Sequence, residues 1–139
     1  MAERGQLSLR PATRILKALR DQAGLQGERH TVLAERYLRE GVLMAEHPGI
    51  HFVDAPAGRR PSVMGTGLDV YQIVQVAKDN RGSVEETAAY LEIDPRLVEA
   101  ALRYYGSNRE EIDEWIARQD AFNEREEAKW RAGRDAVSS

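Results

Sequence analysis

The chain has 139 residues and a mass of 15.7 kDa, which suits one ordinary domain or two very small ones. Charged residues make up 31% of the sequence, and the net charge of -3 excludes a uniformly polycationic protein. Because the chain has no cysteine, disulfides, zinc ribbons and thiol catalysis are excluded as well. No apolar run approaches the length of a membrane-spanning helix or resembles a secretion signal, so we expect a cytoplasmic protein.

The charge is spread unevenly along the chain. Residues 1–42 carry eight Arg or Lys and five Asp or Glu, a net charge of +3, whereas residues 43–107 and 108–139 each carry six and nine, a net charge of -3. A basic N-terminal segment followed by an acidic remainder is typical of a protein whose N-terminal part binds a polyanion and whose C-terminal part binds a different partner. Short segments also vary by three charges at random, so the order of the residues has to decide.

The first predicted element is a strand over residues 6–10, where polar and apolar side chains alternate. Leu7 and Leu9 would point towards a core, and Pro11 ends the ladder. The side chains that would point outward together are those of Gln6, Ser8 and Arg10.

Two helices follow the strand. Apolar residues at helical spacing predict one helix from Thr13 to Gly24 and a second that starts near Arg29 and ends near Pro48. One strand leaves its backbone groups unpaired, and two helices are too few to bury it. A second copy solves both problems, since two strands can pair across a twofold axis while four helices form the core. We therefore expect a homodimer or a higher even oligomer.

This order of strand, helix and helix resembles the ribbon-helix-helix family of CopG- and Arc-like DNA-binding proteins. The resemblance covers residues 5–44, and its carriers are Gln6-Leu7-Ser8-Leu9-Arg10-Pro11 and the run from Arg29 to Gly41. It implies that the paired strands lie in the major groove of operator DNA. By position, the residues that would read base edges are Gln6, Ser8 and Arg10, and those that would hold DNA phosphate are Arg29, His30 and Thr31.

The chemistry of these side chains agrees with that role, because Arg pairs bidentately with guanine, Gln with adenine and Ser with either kind of edge. The alternative is that Gln6, Ser8 and Arg10 form the solvated face of an edge strand. Glu28 lies directly before the predicted phosphate clamp and would weaken phosphate binding unless its carboxylate points away.

A second module is predicted from residue 47. Residues 50–53 and 61–64 read as two short strands around a turn from residue 55 to residue 60. A helix over 69–80 follows. Ser83 then opens a further helix through a capping box, and the pair Asp94-Pro95 opens another. The last two helices have the spacing of a helix-turn-helix.

Residues 47–117 resemble the small helical family called domain of unknown function four-three-three, found in VapB-like antitoxins. The carriers are Gly58-Arg59-Arg60-Pro61, Met64-Gly65-Thr66, Val70 with Ile73, Ser83-Val84-Glu85-Glu86, and Ala100-Ala101-Leu102-Arg103-Tyr104-Tyr105. The predicted recognition helix offers only Arg96 and Arg103, beside Glu99. Because phosphate binding needs positive charge, packing or partner docking is favoured over base reading for this module.

From Asn108, a plausible N-cap, a long charged helix is predicted towards Ala132. Aromatic anchors on a charged helix are what a partner groove accepts. An alternative for Trp115 is that it caps the second module while the rest of the tail frays. The residues predicted to bind a partner are Trp115, Arg118, Phe122, Arg125 and Trp130.

No catalytic, cofactor or metal site is expected. The cluster of His47, His51 and Asp54 is interrupted by Pro48, and the chain has no phosphate loop or nucleophile elbow. Paired acids lie at helix starts or on exposed faces, where helix dipole and solubility explain them.

The sequence thus predicts a mainly α protein with short β elements and three parts. Residues 1–46 form the ribbon-helix-helix, with the strand swapped across a dimer. Residues 47–107 form a β-hairpin with a three-helix, helix-turn-helix-like module, and residues 108–139 a C-terminal helix and tail. The resemblances imply a dimeric antitoxin of a type II toxin–antitoxin pair that represses its own operon and neutralises a PIN-like ribonuclease toxin through its C-terminal part. A stand-alone transcriptional regulator and a protein-interaction adaptor that binds no DNA are the alternatives.

Overall fold

The computed structural model describes residues 3–55 and 58–139. These residues form six helices and one small three-stranded antiparallel sheet, so the chain is mainly α with short β elements as predicted. The chain divides into two compact units, residues 1–43 and residues 44–139. The C-terminal helix begins inside the second unit, because its first turns pack on two helices of that unit.

The first unit contains helix α1, Thr13–Gln26, and most of helix α2, His30–Glu46. Residues 3–12 form no helix or strand in the single chain, so the strand expected over residues 6–10 is not formed there. A strand needs a neighbour that pairs with its backbone groups, and no described residue of the same chain offers one.

Helix α1 ends at Gly27, not at Gly24 as the sequence predicted. Gly27 takes a left-handed conformation with φ 69°, and the N–H of Glu28 donates to the carbonyl of Ala23 over 2.9 Å. This is the closure that a glycine just past the last turn favours, because a side chain is disfavoured at that φ. Gly24 lies inside the helix.

The sheet of the second unit consists of β1, Ile50–Ala55, β2, Gly58–Val63, and β3, Leu68–Asp69, in that order. The first two strands extend beyond the expected strands at 50–53 and 61–64, so most of the expected turn is strand; residues 56 and 57 lie outside the described residues. Strand register places His51 opposite Ser62, and Ser62 opposite Asp69. These three side chains therefore share one face of the sheet, and Arg60 lies on it too.

Three helices follow the sheet: α3, Val70–Asp79, α4, Val84–Leu91, and α5, Pro95–Ser107. Their predicted starts are confirmed, with Asp69, Ser83 and Asp94 at the three N-caps. The Ser83 hydroxyl accepts a hydrogen bond from the N–H of Glu86, and the Asp94 carboxylate accepts one from the N–H of Arg96. Each cap satisfies a donor that the first helical turn leaves free.

The core of the second unit joins the sheet to these helices and to the beginning of the last one. Its buried side chains come from α3 to α6 and from β1 and β2, and the predicted inward residues of α3 are among them. The buried apolar and aromatic residues are Ile50, Val63, Val70, Tyr71, Ile73, Val74, Ala77, Ala88, Val98, Ala101, Tyr104, Ile112 and Trp115.

Helix α6, Arg109–Ser138, is a continuous helix that extends past the expected end at Ala132. Asn108 does not cap it through its side chain, because the Asn108 amide donates instead to the carbonyl of Tyr104 over 3.2 Å. From residue 121 onward every residue is exposed. Ion pairs one turn apart stabilise this part of the helix, among them Lys129 with Glu126 over 3.3 Å.

Candidate functional site

The N-terminal segment keeps the predicted alternation although it forms no strand in the single chain. Leu7 and Leu9 both line an apolar groove formed with α1 and α2, whereas Gln6, Ser8 and Arg10 are exposed and do not line it. The three predicted base-reading side chains therefore take no part in the groove that the two leucines line.

This groove of the first unit has a volume of about 690 Å³. It stays open, since Leu7 is 66% exposed, Leu9 63% and Ile15 52%. A contiguous apolar surface of this kind is expected to be covered by another polypeptide in water. Its apolar and aromatic lining residues include Leu7, Leu9, Ile15, Leu16, Leu19, Tyr37 and Leu38.

The segment is also tied to α2 by charge. An ion pair joins the guanidinium of Arg4 to the carboxylate of Glu35, and Glu35 lines the same groove. Both side chains are exposed, so this pair contributes little to stability.

The predicted phosphate clamp lies at the start of α2, where a shallow hollow of about 480 Å³ opens. Arg29, His30 and Thr31 line it together with Glu28 and with Arg20 of α1, a cation that was not predicted from the sequence. The first turn of α2 carries no acidic residue, so its positive helix end is not neutralised from within. This arrangement favours an anion.

Glu28, the acid beside this clamp, forms an ion pair with Arg36. Its carboxylate receives both ends of the Arg36 guanidinium, Nη1 to Oε1 over 2.9 Å and Nη2 to Oε2 over 2.8 Å. A bidentate pair of this kind neutralises the carboxylate and fixes its orientation. Glu28 thus lines the hollow, but Arg36 balances its negative charge there.

The helix-turn-helix-like pair α4 and α5 presents little free positive charge. The Arg96 guanidinium is held by the Asp94 carboxylate, with Nη2 3.1 Å from Oδ2. The hydrogen bonds from Arg96 lower the pKa of Asp94, and the reciprocal bond raises that of Arg96. Arg103 is exposed, and Glu99 is exposed on the same helix.

Trp115, one of the residues predicted to bind a partner, is buried and only 6% exposed. Its ring stacks on that of Tyr71 with the centroids 6.5 Å apart. The guanidinium groups of Arg60 and Arg118 lie over the Trp115 ring, at 5.8 Å and 5.0 Å from its centroid. Trp115 thus caps the second unit, the alternative that the sequence left open.

A groove of about 370 Å³ nevertheless brings together four of the five residues predicted to bind a partner. It lies where α6 leaves the core and meets the β1–β2 hairpin. Phe122 is 48% exposed beside it, while Trp130 is 67% exposed further along the helix and does not line the groove. The lining residues are Ala55, Arg60, Trp115, Arg118, Gln119, Ala121, Phe122 and Arg125.

Arg60 is the groove residue that the sequence reasoning missed. The expected turn ended at residue 60, and strand register now places its side chain beside Trp115. Its Nε lies 3.1 Å from Oδ2 of Asp69, in an ion pair that lacks the geometry of a hydrogen bond. Arg59-Arg60 is a pair of cations in the sequence, but only the register tells which of them faces the groove.

A second, polar hollow of about 410 Å³ lies on the same face of the sheet and shares Arg60. His51, Ser62 and Asp69 line it from three neighbouring strands, with Tyr71 beside them. Burial raises the pKa of the Asp69 carboxyl, although nearby Arg60 and His51 act in the opposite direction. Burial and the neighbouring Asp69 raise the pKa of Tyr71.

The three residues of the candidate metal cluster lie in different surroundings. His47 is buried with its ring edge-on to Tyr104, the centroids 5.0 Å apart. His51 lines the polar hollow, and exposed Asp54 pairs with Arg59 over 3.2 Å. Across residues 3–55 and 58–139, no three His, Asp or Glu side chains are grouped in a way that could hold a metal ion.

No helix among the described residues is both long and apolar enough to cross a membrane. No protein-family model matches this chain, and no curated protein and no solved structure gives a significant match to it.

Proposed function

We propose that the chain is a homodimeric DNA-binding protein of the ribbon-helix-helix kind and the antitoxin of a type II toxin–antitoxin pair. In this proposal the first unit binds operator DNA and represses the protein's own operon, and the C-terminal part neutralises a PIN-like ribonuclease. The observation that carries the proposal is the open apolar groove of the first unit, lined by Leu7 and Leu9 but not by the polar residues between and beside them.

The groove supports a second copy as its occupant. Two chains would bring two segments over residues 6–10 side by side, and each would supply the backbone partner that the other lacks. The same association would cover Leu7, Leu9 and Ile15, which are all more than half exposed in the single chain. Burial of apolar surface, at about 25 cal/mol per Å², then favours the dimer.

Pairing of the segments would place the outward residues of both copies on one surface. Gln6, Ser8 and Arg10 would then face the major groove, where a two-stranded ribbon fits and base edges are distinguishable. Arg29, His30 and Thr31 would hold the flanking phosphate, with Arg20 as a further cation at the same hollow. Neutralisation of Glu28 by Arg36 removes the one nearby acid that argued against this clamp.

The C-terminal part supports a separate partner site. Helix α6 is exposed from residue 121 to its end, so it has no packing partner in the described chain. Phe122 and Trp130 supply exposed apolar surface there, and Arg118 and Arg125 supply positive charge. A PIN-like toxin gathers carboxylates around its metal, and arginines stay charged in such surroundings.

The test combines DNA and partner binding by the full chain. Light scattering should give about twice the single-chain mass of 15.7 kDa. Fluorescence anisotropy should show salt-dependent binding to duplex DNA from upstream of the gene, and the adjacent gene product should co-purify. A folded monomer at micromolar concentration would contradict the dimer. A DNA affinity that depends on neither the DNA sequence nor the salt concentration would contradict the role as a repressor.

A chain that ends at Ala117 separates the two sites. It retains the first unit and the buried Ile112 and Trp115, so it should dimerise and bind DNA as the full chain does. It lacks Arg118, Phe122, Arg125 and Trp130, so it should no longer bind the toxin. Full neutralisation by this shorter chain would exclude the C-terminal helix as the toxin site. DNA binding without any partner would favour a stand-alone regulator.

A further inference from the structure

The groove between α6 and the hairpin has a charge that the second unit as a whole does not have. Arg60, Arg118 and Arg125 line it, and no acidic residue does. Residues 44–139 nevertheless contain more Asp and Glu than Arg and Lys. The cations are therefore gathered at one place on an otherwise acidic unit.

Two of these cations are held in position around the apolar floor of the groove. The ion pair with Asp69 fixes Arg60, which also lies over the Trp115 ring at 5.8 Å. Arg118 lies over the same ring at 5.0 Å and 3.5 Å from the Glu114 carboxylate. A guanidinium on an aromatic face keeps its outward donors free for a further acceptor.

Acidic residues lie near the groove, but among the described residues none lines it. Glu114 pairs with Arg118 over 3.5 Å, and Asp69 pairs with Arg60 over 3.1 Å. A helix turns by about 100° per residue, which places Asp120 and Glu124 on the side opposite Trp115 and Phe122. The same rotation places Glu126 on the groove side, where it pairs with Lys129 over 3.3 Å. The lining itself therefore carries three cations and no carboxylate, and the surplus of positive charge is local to it.

We propose that this groove is a receptor for an acidic peptide segment that carries one apolar side chain. The apolar side chain would contact Phe122 and the edge of Trp115, and flanking carboxylates would meet Arg118, Arg125 and Arg60. This rests on the proposed function, since the segment would belong to the toxin partner. At this groove the two proteins exchange the roles given to them under the proposed function. The chain supplies the pocket, and the toxin supplies the apolar side chain that fills it.

The apolar floor and the small volume of the groove favour this occupant over nucleic acid, because positive charge alone would attract either polyanion. The floor of the groove consists of Ala55, Trp115, Ala121 and Phe122, which suits an aliphatic side chain. The volume of about 370 Å³ accommodates a few side chains and not an extended polyanion. Phosphate chains would also approach the acids on the rest of α6, which would repel them.

The experiment measures binding of a fluorescent synthetic peptide to the full chain by anisotropy. The peptide has glutamates on both sides of a single leucine, and matched peptides replace the leucine by alanine or the glutamates by lysines. The leucine–glutamate peptide should bind, the alanine peptide more weakly, and the lysine peptide not at all. Binding should weaken as salt is raised.

The double variant Arg118→Glu/Arg125→Glu should lower the affinity for this peptide by about tenfold or more. The matched control, Arg131→Glu/Arg134→Glu, makes the same charge change on the same helix outside the groove and should leave it unchanged. Since Arg118→Glu introduces repulsion with Glu114, Arg118→Gln/Arg125→Gln serves as a milder version, and circular dichroism monitors helix content.

Three outcomes overturn the proposal: no binding of the leucine–glutamate peptide, equal losses in groove and control variants, or displacement of the peptide by a single-stranded oligonucleotide. DNA binding by the first unit separates this inference from the proposed function. If the groove variants bind upstream DNA normally while the peptide result is negative, only the acidic receptor is wrong. If the unaltered chain binds neither DNA nor the adjacent gene product, the proposed function itself fails.

Discussion

The guanidinium of Arg36 donates two hydrogen bonds to the carboxylate of Glu28, with N–O distances of 2.9 Å and 2.8 Å. The two residues are eight positions apart, on α2 and in the turn before it. Their pairing removes a free negative charge from the neighbourhood of Arg29, His30 and Thr31. The proposed phosphate clamp depends on this removal.

Replacement of Arg36 by methionine should therefore weaken DNA binding although Arg36 itself is not proposed to touch DNA. The freed Glu28 carboxylate would repel phosphate, at a cost of about 1 kcal/mol for two unit charges 4 Å apart in water, or about fivefold in affinity. The measurement is anisotropy with upstream DNA at fixed salt. The double variant Glu28→Gln/Arg36→Met is the control, and a double variant as weak as the single one would show that Arg36 acts in another way.

The two tryptophans should respond in opposite ways to truncation. Trp115 is 6% exposed and stacks on Tyr71, so Trp115→Ala should lower the free energy of unfolding by about 3–5 kcal/mol. Trp130 is 67% exposed, so Trp130→Ala should change it by no more than about 0.5 kcal/mol. Urea unfolding followed by circular dichroism measures both. Equal losses would contradict the placement of Trp115 in the core.

The position of Trp115 illustrates what the sequence leaves undetermined. A helical stripe of apolar residues indicates that one face of α6 is covered, but not by what. The covering residues, Tyr71 and the hairpin around Gly58, are more than forty positions away in the chain. The starts of α4 and α5 were predicted because Ser83 and Asp94 act on the next few residues only.

The segment over residues 6–10 illustrates the same limit for strands. Its alternation was readable from the sequence, and Leu7 and Leu9 do share a groove. Whether it pairs depends on a neighbour outside the segment, and within the described chain there is none. Arg60 was not predicted as a groove residue for a related reason. The face of the sheet on which its side chain lies follows from the register of β2 against β1.

Asp69 should give the second unit a specific pH dependence. Burial raises its folded-state pKa above the ordinary 3.8, so the folded state binds this proton more tightly than the unfolded state does. The contribution of this proton to stability is fully present below pH 3.8 and is lost as the pH rises through the raised pKa.

The variant Asp69→Asn keeps a good N-cap but does not titrate. The free energy of unfolding of the unaltered chain, minus that of the variant, should therefore fall as the pH rises from 3.8 through the raised pKa of Asp69. Urea unfolding at several pH values measures this difference, and Asp79→Asn, at an exposed end of the same helix, is the control. A difference that rises with pH would mean that the Arg60 ion pair outweighs burial.

The central claim is that the first unit, and not the helix-turn-helix-like pair, reads DNA. The most direct measurement compares the affinities of Arg10→Ala and Arg103→Ala for upstream duplex DNA and for an unrelated duplex at physiological salt. Arg10→Ala should cost about 1–3 kcal/mol per half-site and reduce the preference for the upstream sequence, because it would remove the proposed bidentate base contact. Arg103→Ala should change neither. Unchanged affinity of Arg10→Ala together with loss in Arg103→Ala would contradict the account.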